Sequence, residues 1–292
     1  MPEMSSRLSS LRSILPDLET ALYSFTASRA KFRIVRTVNP TSAAQVKNPK
    51  TLYILDSSFN PPSRAHAGIA VGALRRLLLL FSTSNADKGK SNTESVVQRL
   101  GLMTAFAEDV EDLLKKRSTT PSIPIDIGLT TEPYYTDKSV AIATTDPPAY
   151  PAHPAHIHLV GYDTLIRFCN PQYYPSYTPP LSALAPFFDA GHGLEVTARP
   201  FDEGDESSRA FGTVEEQSVY VEGLRRTEGA LVDKGWKSEW GARVELVLDE
   251  SGKGVSSTRI RESVREGRWE DVGELCTEGV AAWVKDQGLY LP

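Results

Sequence analysis

The order of its apolar segments constrains this chain more than any other feature. Thr51–Asp56, Ile123–Leu129, His156–Val160, Leu194–Ala198 and Val244–Leu248 read as short buried strands. Helical patterns fall between them. Residues from about His66 to Phe81 read as a helix, and Val96, Leu100, Met103, Phe106, Val110 and Leu113 mark an amphipathic one. A short helix runs to Phe168, and two more cover about 257–266 and 277–287. Strands alternating with helices predict parallel strands joined by right-handed crossovers, a Rossmann-like doubly wound α/β sheet. Ligands of such sheets sit at the carboxyl ends of the strands, near the point where the strand order reverses.

Ahead of this pattern, Leu8, Leu11, Leu15, Leu18, Leu22 and Phe25 form one apolar helical stripe, with Pro16 expected to kink or start the helix. Phe32–Val35 reads as a short strand and residues 37–50 as a linker. The expected division is an N-terminal helix and linker extension at 1–50 and the α/β domain at 51–292. The stripe is read as packing on the domain surface; a homo-oligomer or a protein partner docked on this helix is the alternative. Residues 82–92, 170–180 and 202–213 read as polar or Pro-rich loops.

With 40% hydrophobic and 24% charged residues, the chain can bury a sizeable core. Its 32 basic residues are outnumbered by 37 acidic ones, which argues against a nucleic-acid partner. The longest greasy run, Leu77–Phe81, falls far short of the ~20 residues of a membrane span. Cys169 and Cys276 form no CxxC, so neither a disulfide scaffold nor a structural zinc site is expected. Arg7 and Arg12 among serines give a faint presequence look, countered by Glu3, Asp17 and Glu19. The expected location is cytoplasm or nucleus rather than mitochondrion. His156 and His158 read as strand residues, His192 as a helix cap, and no metal ligands are expected from protein side chains.

Two segments carry chemistry. The first strand runs into Ser58-Phe59-Asn60-Pro61-Pro62-Ser63, a tight turn, and a helix opens near His66. Free amides at a helix start accept phosphate, and Ser63 and His66 add a hydroxyl and an imidazole to the same side. Much later, Ser256-Ser257-Thr258 opens another helix just after a strand, with Arg261 one turn in. Three hydroxyls and a guanidinium make a second anion cradle. Each segment by itself is equally readable as a capped helix with surface residues; the pair points to a phosphate ligand.

Ser58-Phe59-Asn60-Pro61-Pro62-Ser63-x-x-His66 resembles the G-S-F-N-P-x-T-x-x-H motif of nicotinamide mononucleotide adenylyltransferases, a form of the (H/T)xGH signature of the nucleotidylyltransferase superfamily. Val255-Ser256-Ser257-Thr258-x-x-Arg261 resembles that family's I-S-S-T-x-x-R. Shorter likenesses lie at Arg99, at Gly161-Tyr162-Asp163-x-Leu165, at Gly193–Arg199 and at Trp283–Tyr290. Together they cover roughly residues 51–290 and look most like a divergent fungal branch. Ser57 stands in place of the motif's opening Gly, and Tyr134 and Tyr135 in place of the Trp and Glu of a D-P-W-E segment.

The resemblance implies a nucleotidylyltransferase fold and ATP-dependent adenylyl transfer, with Mg²⁺ accompanying ATP. The acceptor would be nicotinamide or nicotinate mononucleotide, giving NAD or deamido-NAD and pyrophosphate. His66, Ser63 and Arg261 would be catalytic. Ser58, Phe59, Asn60, Ser256, Ser257 and Thr258 would hold phosphates, with Lys88 or Lys90 as the phosphate lysine. Gly161 and Asp163 would lie near the adenosine. Tyr134, Tyr135 and Arg199 would receive the mononucleotide. Readings that keep the fold without this transfer are an ATPase and a catalytically weak regulator acting through protein partners.

Overall fold

The computed structural model describes residues 2–39, 49–72, 76–85, 89–90, 93–117, 123–199, 201, 206–249, 252 and 254–292. Seven strands form one sheet: β1 (Phe32–Val38), β2 (Thr51–Asp56), β3 (Leu77–Ser82), β4 (Ile125–Thr130), β5 (Ala155–Gly161), β6 (Gly193–Thr197) and β7 (Val244–Val247). Their order across the sheet is β1-β4-β3-β2-β5-β6-β7. All neighbours pair in parallel except β1, which lies antiparallel on β4. From β2 the chain winds outward through β3 and β4, then returns to β5 on the other side and winds outward again. The reversal falls between β2 and β5, the place where such sheets bind ligands.

The helices are α1 (Pro2–Thr26), α2 (Arg64–Ala70), α3 (Thr93–Arg117), α4 (Tyr135–Ala143), α5 (Tyr162–Phe168), α6 (Ala185–Asp189), α7 (Val214–Gly223), α8 (Ser257–Arg265), α9 (Trp269–Leu275) and α10 (Glu278–Asp286). No helix among the described residues is long and apolar enough to cross a membrane.

One sequence expectation is corrected here. The helix expected from His66 to Phe81 ends at Ala70, and Leu77–Ser82 is the strand β3. Its unbroken apolar run reflects burial on both faces: Leu77, Leu79 and Phe81 join the core beside α1 and α3, while Leu78 and Leu80 join the cluster beside α4. A helix needs one polar face; a central parallel strand does not. His192 closes α6 as the sequence suggests: its backbone N–H donates to the Phe187 carbonyl at 3.3 Å, beside the Gly191 N–H on the Phe188 carbonyl at 2.9 Å. It is buried, its ring stacked on His156 at 4.2 Å between centroids, and its Nδ1 accepts the His156 backbone N–H at 3.0 Å.

The N-terminal segment is part of the same core. Leu11, Leu18, Leu22 and Phe25 are buried against α3 and α10, so the stripe packs on the domain as the sequence reading expects. Pro16 lies inside a continuous α1. Arg7 pairs with Glu108 and Asp109 at 2.6 Å, and Asp109 also accepts the backbone amides of Gly279 and Val280 at the start of α10. One buried carboxylate thus ties α1, α3 and α10 together. β1 runs through Val38, beyond the Val35 expected, and α9 was not foreseen. Cys169 and Cys276 are free and buried.

Three histidines sit in the interior between β5 and the segment before β6. Burial holds His156 down at about 3, aided by His192, and His192 at about 4, aided by Arg243. Burial first, then His156, His192 and Lys138, pushes His158 well below its ordinary value. The unfolded chain protonates near the ordinary 6.5 while the folded chain refuses those protons, so stability present above that pH is lost as pH falls. We predict that thermal unfolding scans from pH 7.5 to 5 show a falling melting temperature. The slope per histidine below pH 6.5 is about 1.4 kcal/mol per pH unit; a flat profile would contradict this.

Candidate active site at the switch point

Every element facing the site ends or begins on one side of the sheet. β2 delivers Asp56 and Ser57, β5 delivers Gly161, β6 delivers Thr197 to Arg199, and β7 is followed by Leu248 and Asp249. Together with the start of α2 and of α8 they enclose a cavity of about 610 Å³. That is within the usual range for a small-molecule site.

The two phosphate motifs meet there. Ser57, Ser63 and His66 from the first and Ser256 and Ser257 from the second line the same cavity. They are also bonded to each other. Ser257 Oγ donates to the Pro61 carbonyl at 2.8 Å, and Arg261 Nη1 donates to the Asn60 carbonyl at 2.7 Å. The Arg261 guanidinium is braced from its own helix by Thr258 Oγ1 at 3.1 Å. Ser256 caps α8, accepting the Arg259 amide at 3.2 Å.

His66 has a defined tautomer. Its Nδ1 accepts the Ser63 backbone N–H at 3.1 Å, and an amide nitrogen can only donate. Nδ1 is therefore bare, the Ser63 hydroxyl at 2.8 Å donates to it, and the proton sits on Nε2. Nε2–H in turn donates to Ser57 Oγ at 2.8 Å. Phe59 and Phe106 pack around the ring, and burial lowers its pKa to about 4. The site thus presents a neutral imidazole whose N–H sits at the cavity wall.

Two carboxylates of the cavity, Asp56 and Asp163, carry cationic partners. Asp56 is paired with the buried Lys138 of α4, whose Nζ also lies 5.0 Å over the Tyr135 ring. Asp163 accepts from Arg167 at 3.0 Å and lies 3.7 Å from Arg199 Nη1. Buried Gln217 clamps Arg199 by its backbone, accepting from its N–H at 3.0 Å and donating to its carbonyl at 2.7 Å. A Cβ at Gly161 would stand 2.7 Å from an Asp163 carboxylate oxygen, so a side chain there would displace that carboxylate.

Gly161, Asp163, Arg199 and Tyr135 line the cavity with both motifs. Other expected site residues stand elsewhere. Phe59 is fully buried in the core, Ser58 points to solvent, and Asn60 borders a second, smaller cavity. Thr258 is exposed and acts on Arg261, which backs the turn without lining the cavity. Tyr134 is the exposed residue before α4, so of the two tyrosines Tyr135 faces the cavity. Lys88 and the Lys90 side chain lie outside the described residues. Asp56, Ser57, Thr164, Glu215 and Asp249 also line the cavity and were missed. For Asp56 and Ser57 a signal existed, since they are the last residue of a strand and the first of its turn.

No protein-family model matches the chain. It is 27% identical over 240 residues to a Schizosaccharomyces pombe protein named "Putative nicotinamide mononucleotide adenylyltransferase", covering 81% of this chain and 84% of that one. Among solved structures, it is similar to Plasmodium falciparum nicotinic acid mononucleotide adenylyltransferase complexed with NaAD. That match has 11% identity and a TM-score of 0.46, over 83% of this chain and 98% of the other. The same enzyme complexed with APC gives 12% identity and a TM-score of 0.45, over the same shares.

The depressed His66 pKa has a direct check. We predict that the His66 imidazole, followed by NMR, titrates with a midpoint near 4 rather than 6.5. A midpoint above 6 would mean that the ring is not enclosed as described.

Proposed function

We propose that this chain is a nucleotidyltransferase that moves the adenylyl group of ATP onto nicotinamide or nicotinate mononucleotide, forming NAD or deamido-NAD and releasing pyrophosphate. One observation carries the reading. The Ser257 hydroxyl and the Arg261 guanidinium of the second motif are hydrogen-bonded to the turn of the first, so an imidazole and two serines at the start of α8 share one cavity. The motif likeness at His66 and at Ser256–Arg261 and the similarity to the fission-yeast protein support it from the sequence side.

In such a transfer a phosphate oxygen of the mononucleotide attacks the α-phosphorus of ATP in line, the bond to the β-phosphate breaks, and pyrophosphate leaves. No covalent bond to the protein is needed, so the protein's work is alignment and charge stabilisation. His66 Nε2–H would exchange Ser57 Oγ for an α- or β-phosphate oxygen. Being neutral, the imidazole donates this hydrogen bond without having to bind a proton first. Ser63 holds the ring from Nδ1. Ser256 and Ser257 would take the β- and γ-phosphates, Asp163 the adenosine, and Arg199 the acceptor phosphate. Tyr135 would offer a face to the acceptor base.

Asp56 and Asp163 are engaged by Lys138 and Arg167, so Mg²⁺ would be held mainly by ATP's own phosphate oxygens and water. Bound there, it would neutralise the charge on the transferring and leaving groups.

The decisive experiment is an acceptor panel with ATP and Mg²⁺, reading pyrophosphate release and product mass. Pyrophosphate that depends on either mononucleotide is the expected result. Orthophosphate without any acceptor would replace this reading with ATP hydrolysis, and ATP binding without product would replace it with a regulatory role. We further predict that His66→Ala lowers turnover by roughly 10²–10³-fold, the usual effect of removing one preorganised donor, while circular dichroism shows the fold retained.

A further inference from the structure

A turn that presents one side to a phosphate has to be held from the other. In this molecule the hold is on Asn60. Its carbonyl receives Arg261, and its side-chain Oδ1 accepts the Tyr290 hydroxyl at 2.9 Å, from a residue 230 positions further along the chain. Asn60 lines no part of the phosphate-side cavity. It opens instead onto a second cavity of about 270 Å³, bordered by Gln98, Arg99, Leu289 and Tyr290. Tyr290 is half-buried there, within electrostatic reach of Arg99 and Arg261. Burial holds its phenol well above the ordinary range, so it remains an O–H donor at neutral pH.

Both ends of this bond adjoin left-handed backbone. Phe59, next to Asn60, has φ 45°, and Tyr290 itself has φ 67°. Non-glycine residues keep such angles only where surrounding contacts over-determine them, and such positions cluster at functional sites. Packing alone would not call for the hydroxyl: a phenyl ring would fill the same space. A directional bond onto a side-chain amide fixes orientation as well as position.

We propose that Tyr290 is a positioning residue for the phosphate-binding turn. Its hydroxyl fixes Asn60 so that the Asn60 and Pro61 carbonyls face α8 while Ser57, Ser63 and His66 face the cavity. The inference rests on the ATP-site reading above.

The test measures binding of α,β-methylene-ATP with Mg²⁺ by titration calorimetry, well below the melting temperature, in the full chain, Tyr290→Phe, Asn60→Ala and the double variant. Each single change should weaken binding roughly three- to tenfold, the range expected for one lost hydrogen bond. The double variant should be no weaker than the worse single one. In turnover assays Tyr290→Phe should raise the KM for ATP and leave that for the mononucleotide unchanged, which a general loss of stability would not do. Binding by a folded Tyr290→Phe within twofold of wild type, or fully additive losses in the double variant, would overturn the proposal. Wild type that binds the analogue but forms no dinucleotide would sink the transferase reading and leave the Tyr290 result to stand on its binding ratios. Wild type that does not bind it would sink both.

Discussion

The site depends on a seam between two carbonyls and two side chains. Pro61 and Asn60 offer their oxygens at the end of β2's turn; Ser257 and Arg261 reach them from α8. The partners are 196 and 201 residues apart in the chain. β2 is central in the sheet and β7, which precedes α8, lies at its margin. The sheet brings the segments within range, and the hydrogen bonds set their orientation. A cavity with donors on two walls exists only because this seam closes. Arg261, whose pattern in the sequence suggests a phosphate ligand, is first of all a brace for the turn.

The electrostatic design around the seam is economical. The cavity carries Asp56 and Asp163 close to where an anion would bind, and each is answered by a cation from a neighbouring helix or strand end. The imidazole is uncharged. Attraction for an anion therefore comes from oriented N–H and O–H dipoles more than from net positive charge, which fits a chain of net charge -5. Fixed dipoles need no reorganisation when charge shifts along a phosphate chain, and this suits them to a transition state.

Much of this was legible in the sequence because it rests on local chemistry. The strand–turn–helix at Thr51–His66 and the hydroxyl run at Ser256–Thr258 announce themselves by residue type and order. The doubly wound sheet follows from alternation of elements. What escaped was whatever depends on the third dimension. Leu77–Phe81 has no periodicity to separate a strand from a buried helix, because both of its faces are covered. Nothing in the dipeptide Tyr134-Tyr135 says which ring turns inward. Asn60 looks like a ligand residue by its place in a phosphate turn, and only the fold reveals that its side chain faces Tyr290. The cap at His192 is legible from its glycines, but the stacking of its ring on His156 of β5 is not.

β1 has a consequence of a different kind. It adds an antiparallel strand to one margin of an otherwise parallel sheet, and its pairing with β4 is irregular between Ile34 and Arg36. It also carries Arg33 and Arg36. Irregular, charged border strands are poor templates for a foreign strand. At the opposite border β7 spans only four residues, too few to recruit a neighbour. The sheet is finished on both sides, and crowding many copies of this molecule together gives them little chance to stitch into a continuous ribbon.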